Sequence, residues 1–200
     1  MSYVLQLTLT QFRSYERASV DDFSPGLNVL FGPNGAGKTN VLEAISLLSP
    51  GRGLRSATNE EIQRQVAGAP PDGTWSVAAT VCNTAACAQI GTGIDPATQK
   101  RVVRINGATA KNQMALSDYL ACLWLTPQMD RLFIDSAGGR RRFFDKLVFT
   151  FDPSHAGRVT RYENAMSQRS KLLREGGAEK SWLDSLESQM AETGVAITAA

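Results

Sequence analysis

The stretch GPNGAGKTN, residues 32–40, follows the apolar run LNVLF at 27–31 and leads into NVLEAISLL at 40–48. It fits G-x-x-x-x-G-K-[ST] with no mismatch. The run before it has strand length. After it, Val41, Leu42, Ile45 and Leu48 recur at helical spacing, so the motif lies between a strand and an amphipathic helix. Gly35 and Gly37, without a Cβ, let the backbone curl with its N–H groups pointing inward. Those groups and the helix N-terminus make a positive cup for phosphate. Lys38 brings a full charge to the β- and γ-phosphates, and Thr39 a hydroxyl to Mg²⁺. Gly32, Pro33, Asn34, Gly35, Ala36, Gly37, Lys38, Thr39 and Asn40 are therefore the candidate nucleotide site, with Lys38 also a candidate catalytic residue. A glycine-rich turn that merely contains Lys-Thr would not need the flanking strand and helix.

Working outward, the N-terminal segment alternates Leu5, Leu7 and Leu9 with Gln6, Thr8 and Thr10, which predicts a half-buried strand. A second strand is expected near Ser19–Asp21. Pro25-Gly26 makes a turn, Pro50-Gly51 ends the motif's helix, and AGAPPDG at 67–73 is a turn cluster. Trp75–Cys82, Ala86–Gly91 and Arg101–Ile105 read as strands of a small antiparallel lobe, with Asn106-Gly107 as a hairpin signal. Leu116–Leu120 suggests a short helix and Leu123–Leu125 a short strand. Asp152-Pro153 opens a long helix, Asp as cap and Pro in its first turn, and a second helix spans about Ser181–Glu192 with Ser181 as its cap.

The 200 residues carry a net charge of +2, distributed unevenly. Residues 101–174 hold 13 Lys+Arg against 6 Asp+Glu, and residues 175–200 hold 1 against 5. A basic middle suggests a polyanion partner; a solvated basic face is the plainer alternative. Three cysteines, an odd number without Cys-x-x-Cys, suit a reducing cytoplasm. With one histidine, His155, a zinc site built from His and Cys is not expected. No apolar run reaches the roughly 18 residues that cross a bilayer, so no membrane role is expected. No hydrophobic strand ending in an acidic pair follows the motif, and the chain is expected to stop short of the catalytic half such a pair would supply.

The order LTQFRSYE (9–16), GLNVLFGPNGAGKTNVLEAI (26–45), GRGLRS (51–56), RINGA (104–108), LTPQMDRLF (125–133), GGRRRFFDKLV (138–148) and YENAMSQRSKLL (162–173) resembles the N-terminal half of the RecF family, ABC-type ATPases related to SMC proteins. The resemblance implies an α/β P-loop head of ABC-ATPase type with an antiparallel β subdomain and the start of a helical lobe. It divides the chain into an ATP-binding lobe at 1–135 and an incomplete helical lobe at 136–200. It implies ATP and Mg²⁺ as ligands and an ATP-dependent homodimer. It implies DNA, single-stranded or gapped, as a partner in repair, replication and SOS induction, with RecR and RecO as protein partners. It places the signature and Walker B motifs beyond residue 200, so that hydrolysis by the family route is not expected of this chain. It also places Arg13 beside the nucleotide and Gln128 near the glutamine that meets Mg²⁺ and the attacking water, although Pro127-Gln128-Met129-Asp130 stands where the family more often has Pro-Glu-Asp. Arg13 reads equally as a surface arginine on a turn.

Arg140, Arg141 and Arg142 are the sharpest basic cluster and the candidate DNA contacts. On a helix, Arg141 and Arg142 can instead both reach Asp145. A different class of protein, a P-loop small-molecule kinase, would use the same three arginines as a lid. A GTPase would need an N-K-x-D segment, which the sequence lacks.

Overall fold

The computed structural model describes residues 2–66, 68, 73–134, 136–176 and 179–200. They form two compact units, Met1–Trp124 and Leu125–Ala200. Most of the turn expected at 67–73 lies outside the described residues.

The first unit is built on one antiparallel sheet. Strands β1 (Tyr3–Phe12), β2 (Tyr15–Val20), β3 (Ser76–Cys82), β4 (Cys87–Ile94), β5 (Arg101–Ile105) and β6 (Ala108–Thr109) run in the order β2-β1-β3-β4-β5-β6. The strands expected as a separate small lobe are therefore continuous with the N-terminal hairpin, because β3 pairs directly with β1, Leu7 opposite Ala79 and Leu9 opposite Val77. Alternation decides which face is buried: Leu7 and Leu9, Val77, Ala79 and Val81, Ile90 and Ile94, and Val103 all point into one core. Helix α1 (Lys38–Leu47) covers that face with Val41, Ala44 and Leu47, and Leu48 follows into the core. Phe12 and Trp75 close one end of the core edge to face, ring centroids 6.0 Å apart. The short helix α2 (Asn59–Ile62) starts with a capping box: Thr58 accepts from the Glu61 N–H while Glu61 accepts from the Thr58 N–H.

Four local expectations change. Leu27–Phe31 is not a strand. Leu30 packs on the core, but Leu27, Val29 and Phe31 are 88%, 70% and 91% exposed. Strand identity is a pairing, and no described segment offers this run a ladder. Leu123–Leu125 likewise forms no strand, and the helix expected at Leu116–Leu120 is a 3-10 turn at Gln113–Asp118. On α1 the buried stripe also shifts: Leu42 faces out at 51% exposure while Glu43 is buried.

Cys82 and Cys87 face each other at the turn end of the β3–β4 hairpin and are joined as a disulfide, leaving Cys122 free. The odd count hid a cross-strand pair, because five residues of separation across a tight hairpin place two strand positions opposite one another.

The second unit is helical: α3 (Ala137–Phe149), α4 (His155–Glu175) and α5 (Lys180–Thr198). Helices α4 and α5 pack along their length, with Ala165 and Leu186 buried and Arg169 bonded to Glu187 at 2.7 Å. The Asp152 carboxylate caps a turn before α4, accepting from the Ser154 N–H and hydroxyl and pairing with Arg158; the helix itself starts later, at His155. The last helix is longer than expected and is not capped by Ser181. Among the described residues no helix is long and apolar enough to cross a membrane.

Candidate nucleotide site

Helix α1 starts at Lys38, and its N-cap, Gly37, has φ +90°. Gly35 is also left-handed, at φ +85°. These are conformations that glycine adopts without steric cost. No side chain caps α1 and no acidic residue lies in its first turn. An uncapped helix start normally presents unsatisfied N–H groups and partial positive charge, so the local chemistry favours an anion there. Lys38 Nζ donates to the carbonyls of Gly32 and Pro33, both at 2.8 Å. That folds the ammonium over its own loop and leaves its third N–H for a phosphate oxygen. Thr39 is exposed at the mouth. Among the described residues no cluster of three or more His, Cys, Asp or Glu is placed to hold a metal; a Mg²⁺ here would be carried by the Thr39 hydroxyl and the nucleotide's own phosphates.

The β1–β2 turn lies against this loop. Tyr15 donates its hydroxyl to the Ala36 carbonyl at 3.3 Å. A Cβ added at Gly37 would fall 2.2 Å from the Tyr15 hydroxyl, so a side chain there would displace the end of the Tyr15 ring in addition to straining φ. Asn40 donates to Ser14 Oγ at 3.0 Å. Arg13, the candidate phosphate contact, points elsewhere. Its guanidinium forks onto Glu43, Nε to Oε2 at 2.9 Å and Nη2 to Oε1 at 2.6 Å, while Nη1 reaches the Glu61 carbonyl. Arg55 shares Glu43, donating to Oε2 at 2.7 Å, and also donates to Asn40 Oδ1 at 3.0 Å.

Tyr15, Glu43 and Arg55 were not singled out by sequence reasoning. One signal existed: Glu43 is a charged residue inside the apolar helix pattern NVLEAISLL. Its partners lie 30 and 12 residues away along the chain, and no spacing rule predicts them.

Gln128 and the three arginines belong to the second unit. Gln128 is exposed on a 3-10 turn, Pro127–Arg131. Arg140, partly buried, donates to the Phe133 carbonyl at 3.4 Å, while Arg141 and Arg142 are exposed on α3. The alternative pairing of Arg141 and Arg142 with Asp145 is not what the structure favours: Asp145 is engaged by the buried His155, Nε2 to Oδ1 at 3.0 Å. Lys146 has its pKa lowered, first by burial and then by the neighbouring Arg142 charge.

Residues 3–129 match the family model described as RecF/RecN/SMC N terminal domain. The chain is 46% identical over 201 residues to the DNA replication and repair protein RecF of Mesorhizobium japonicum, covering 100% of this chain and 52% of that protein. It is 44% identical to RecF of Caulobacter vibrioides over 98% of this chain and 52% of that protein. The chain thus spans about half the length of the curated relatives it matches. In fold it is similar to a structure of the recombination mediator protein RecF-ATPrS in the RecFOR pathway, with TM-score 0.83, 23% identity, and coverage of 98% of this chain and 52% of that one. An SMC ATPase, studied for ATP-driven dimerization and DNA-stimulated activation, matches 72% of this chain and 99% of its own, with TM-score 0.56 and 22% identity.

Proposed function

The chain belongs to the RecF/RecN/SMC N-terminal domain family, and from that premise we propose that it is the ATP-binding part of a RecF-like DNA-repair protein that closes on DNA as an ATP-bound dimer. The observation that carries the reading is the open phosphate cup: a helix with no side-chain cap and no first-turn acid, beside two left-handed glycines and the folded-over Lys38.

Phosphates of ATP would sit on the N–H groups around Gly35–Thr39, with Lys38 neutralising the distal charge and Thr39 holding Mg²⁺. ATP would act as the contact between two heads, and its loss would release them. The DNA partner is gapped or single-stranded, met through phosphates rather than bases. Arg141 and Arg142, exposed on α3, are the residues proposed for that contact, with Arg140 as their anchor on the Phe133 carbonyl. Gln128 is proposed to face the attacking water, and RecR, RecO and the SOS response belong to the same reading.

Titration calorimetry with MgATP, paired with anisotropy of a labelled gapped duplex, tests it. Lys38→Ala is expected to abolish ATP binding and leave the melting transition in place. DNA affinity of the wild-type chain is expected to rise when ATP is added. Retained ATP affinity in Lys38→Ala would remove the site assignment; DNA affinity indifferent to ATP would remove the switch.

A further inference from the structure

Three consecutive turn residues engage successive positions along the loop and helix: Tyr15 at Ala36, Ser14 at Asn40 and Arg13 at Glu43. Asn40 and Glu43 lie three apart on one face of α1, and Ala36 lies in the loop just before its N-cap. The turn therefore lies lengthwise on the phosphate loop and the first turns of α1. What fixes it is Glu43, 1% exposed, which receives Arg13 through two nitrogens and Arg55 through a third.

This is a costly way to hold a turn. A buried ion cluster is seldom more stable than apolar side chains of the same volume. The backbone adds to the cost: Gln11 and Arg13 are both left-handed, at φ +49° and +53°. Non-glycine residues persist there when their surroundings over-determine them, and such places cluster at ligand sites. The Arg13 N–H donates to the Ile62 carbonyl at 2.8 Å and the Arg64 N–H to the Gln11 carbonyl at 2.8 Å, so the strained turn is tied on both sides. Two guanidinium groups share one carboxylate, which leaves the cluster with a net positive charge.

We propose that Glu43 is a positioning residue of the nucleotide site: by anchoring Arg13 and Arg55 it presses the β1–β2 turn onto the phosphate loop and fixes the cup in the shape that takes a nucleoside triphosphate. The inference rests on the P-loop reading above. It differs from a simple field effect in sign. Removing a carboxylate beside the cup makes the site more positive and would tighten ATP binding on charge alone. Loss of the anchor weakens it.

The experiment is titration of MgATP into the Glu43→Gln chain, alongside a melting curve. The expected result is a cooperative transition with ATP affinity about tenfold lower, the scale on which partners supporting a binding group act in metal sites. Unchanged or tighter binding overturns the proposal. Arg13→Lys keeps the charge but gives up the two-pronged contact, and it carries the same test should Glu43→Gln not fold; unaltered affinity in that variant also overturns it. A cycle with Arg13→Gln adds a readout that general destabilisation does not move. If Glu43 acts through Arg13, the double variant binds no more weakly than the worse single one, and additive losses count against the anchor. Lys38→Ala separates the two claims. Binding that survives Lys38→Ala removes the P-loop reading itself, whereas binding lost there but kept in Glu43→Gln removes only the positioning role.

Discussion

Arg101 on β5 sets the far end of the phosphate-loop helix, and replacing it with methionine measures what that is worth. Its Nη2 donates to the Leu47 carbonyl at 2.7 Å, Nη1 to the Gly51 carbonyl at 2.7 Å, and Nε to Thr92 Oγ1 at 2.9 Å. The first two acceptors lie at and just past the C-terminus of α1, where carbonyls lack intrahelical partners and the dipole favours a cation. Burial pushes the guanidinium pKa down from its ordinary value to about 10. At about 1.4 kcal/mol per unit, that is a cost of about 3 kcal/mol for carrying the charge into the fold. Because the folded-state value lies below the unfolded one, the unfolded chain binds the extra proton across that interval, and stability from this group rises with pH there; at neutral pH the whole cost is present. Against it stand three hydrogen bonds from a charged donor, each worth about 1.5–3 kcal/mol. The bonds win by about 1–6 kcal/mol. Arg101→Met keeps most of the side-chain volume, removes cost and gain together, and leaves two carbonyls at the helix end without this donor. A loss of about 1–6 kcal/mol is expected, read as a fall in Tm of about 2–4 °C for each kcal/mol in a chain of this size. Urea or thermal melts followed by circular dichroism provide the number. A methionine variant as stable as wild type, or more so, would refute the reasoning: the buried cation would then be a net cost.

Two further outcomes follow from the first unit. Cys122 is pushed up to about 11 by burial, with a smaller opposing hydrogen bond from Ser49; at pH 8 it should form about a hundredfold less thiolate than an ordinary thiol and alkylate slowly until the chain is unfolded. Mass spectrometry after iodoacetamide checks this, and two more adducts, at Cys82 and Cys87, are expected only after reduction. Val29→Lys together with Phe31→Asp should leave the unfolding free energy within about 0.5 kcal/mol of wild type, since both side chains already face solvent. The same pair should reduce self-association in sedimentation experiments, because it breaks an exposed apolar strand-like run.

The residues that could be read from sequence are those whose chemistry is local. GPNGAGKT is legible because glycine conformation, helix start and lysine all act within eight positions, and the structure places Gly35, Gly37 and Lys38 accordingly. Strands β1, β3, β4 and β5 are legible because alternation is a property of each segment alone. That they join one sheet is not, since the Leu7–Ala79 pairing is a choice between segments some seventy positions apart. LNVLF shows the same limit from the other side. Its pattern is that of a strand buried on both faces, yet pairing needs a neighbour, and none of the described segments is one. Arg13 is the instructive case at the site. As a residue type it suits phosphate, and its turn lies beside the loop. What decides its direction is Glu43, thirty positions on, which takes both prongs of the guanidinium. A basic residue near an anion site thus has two possible employers, the ligand and a buried carboxylate. Between them the sequence is silent, because the choice depends on which one the fold brings within 3 Å.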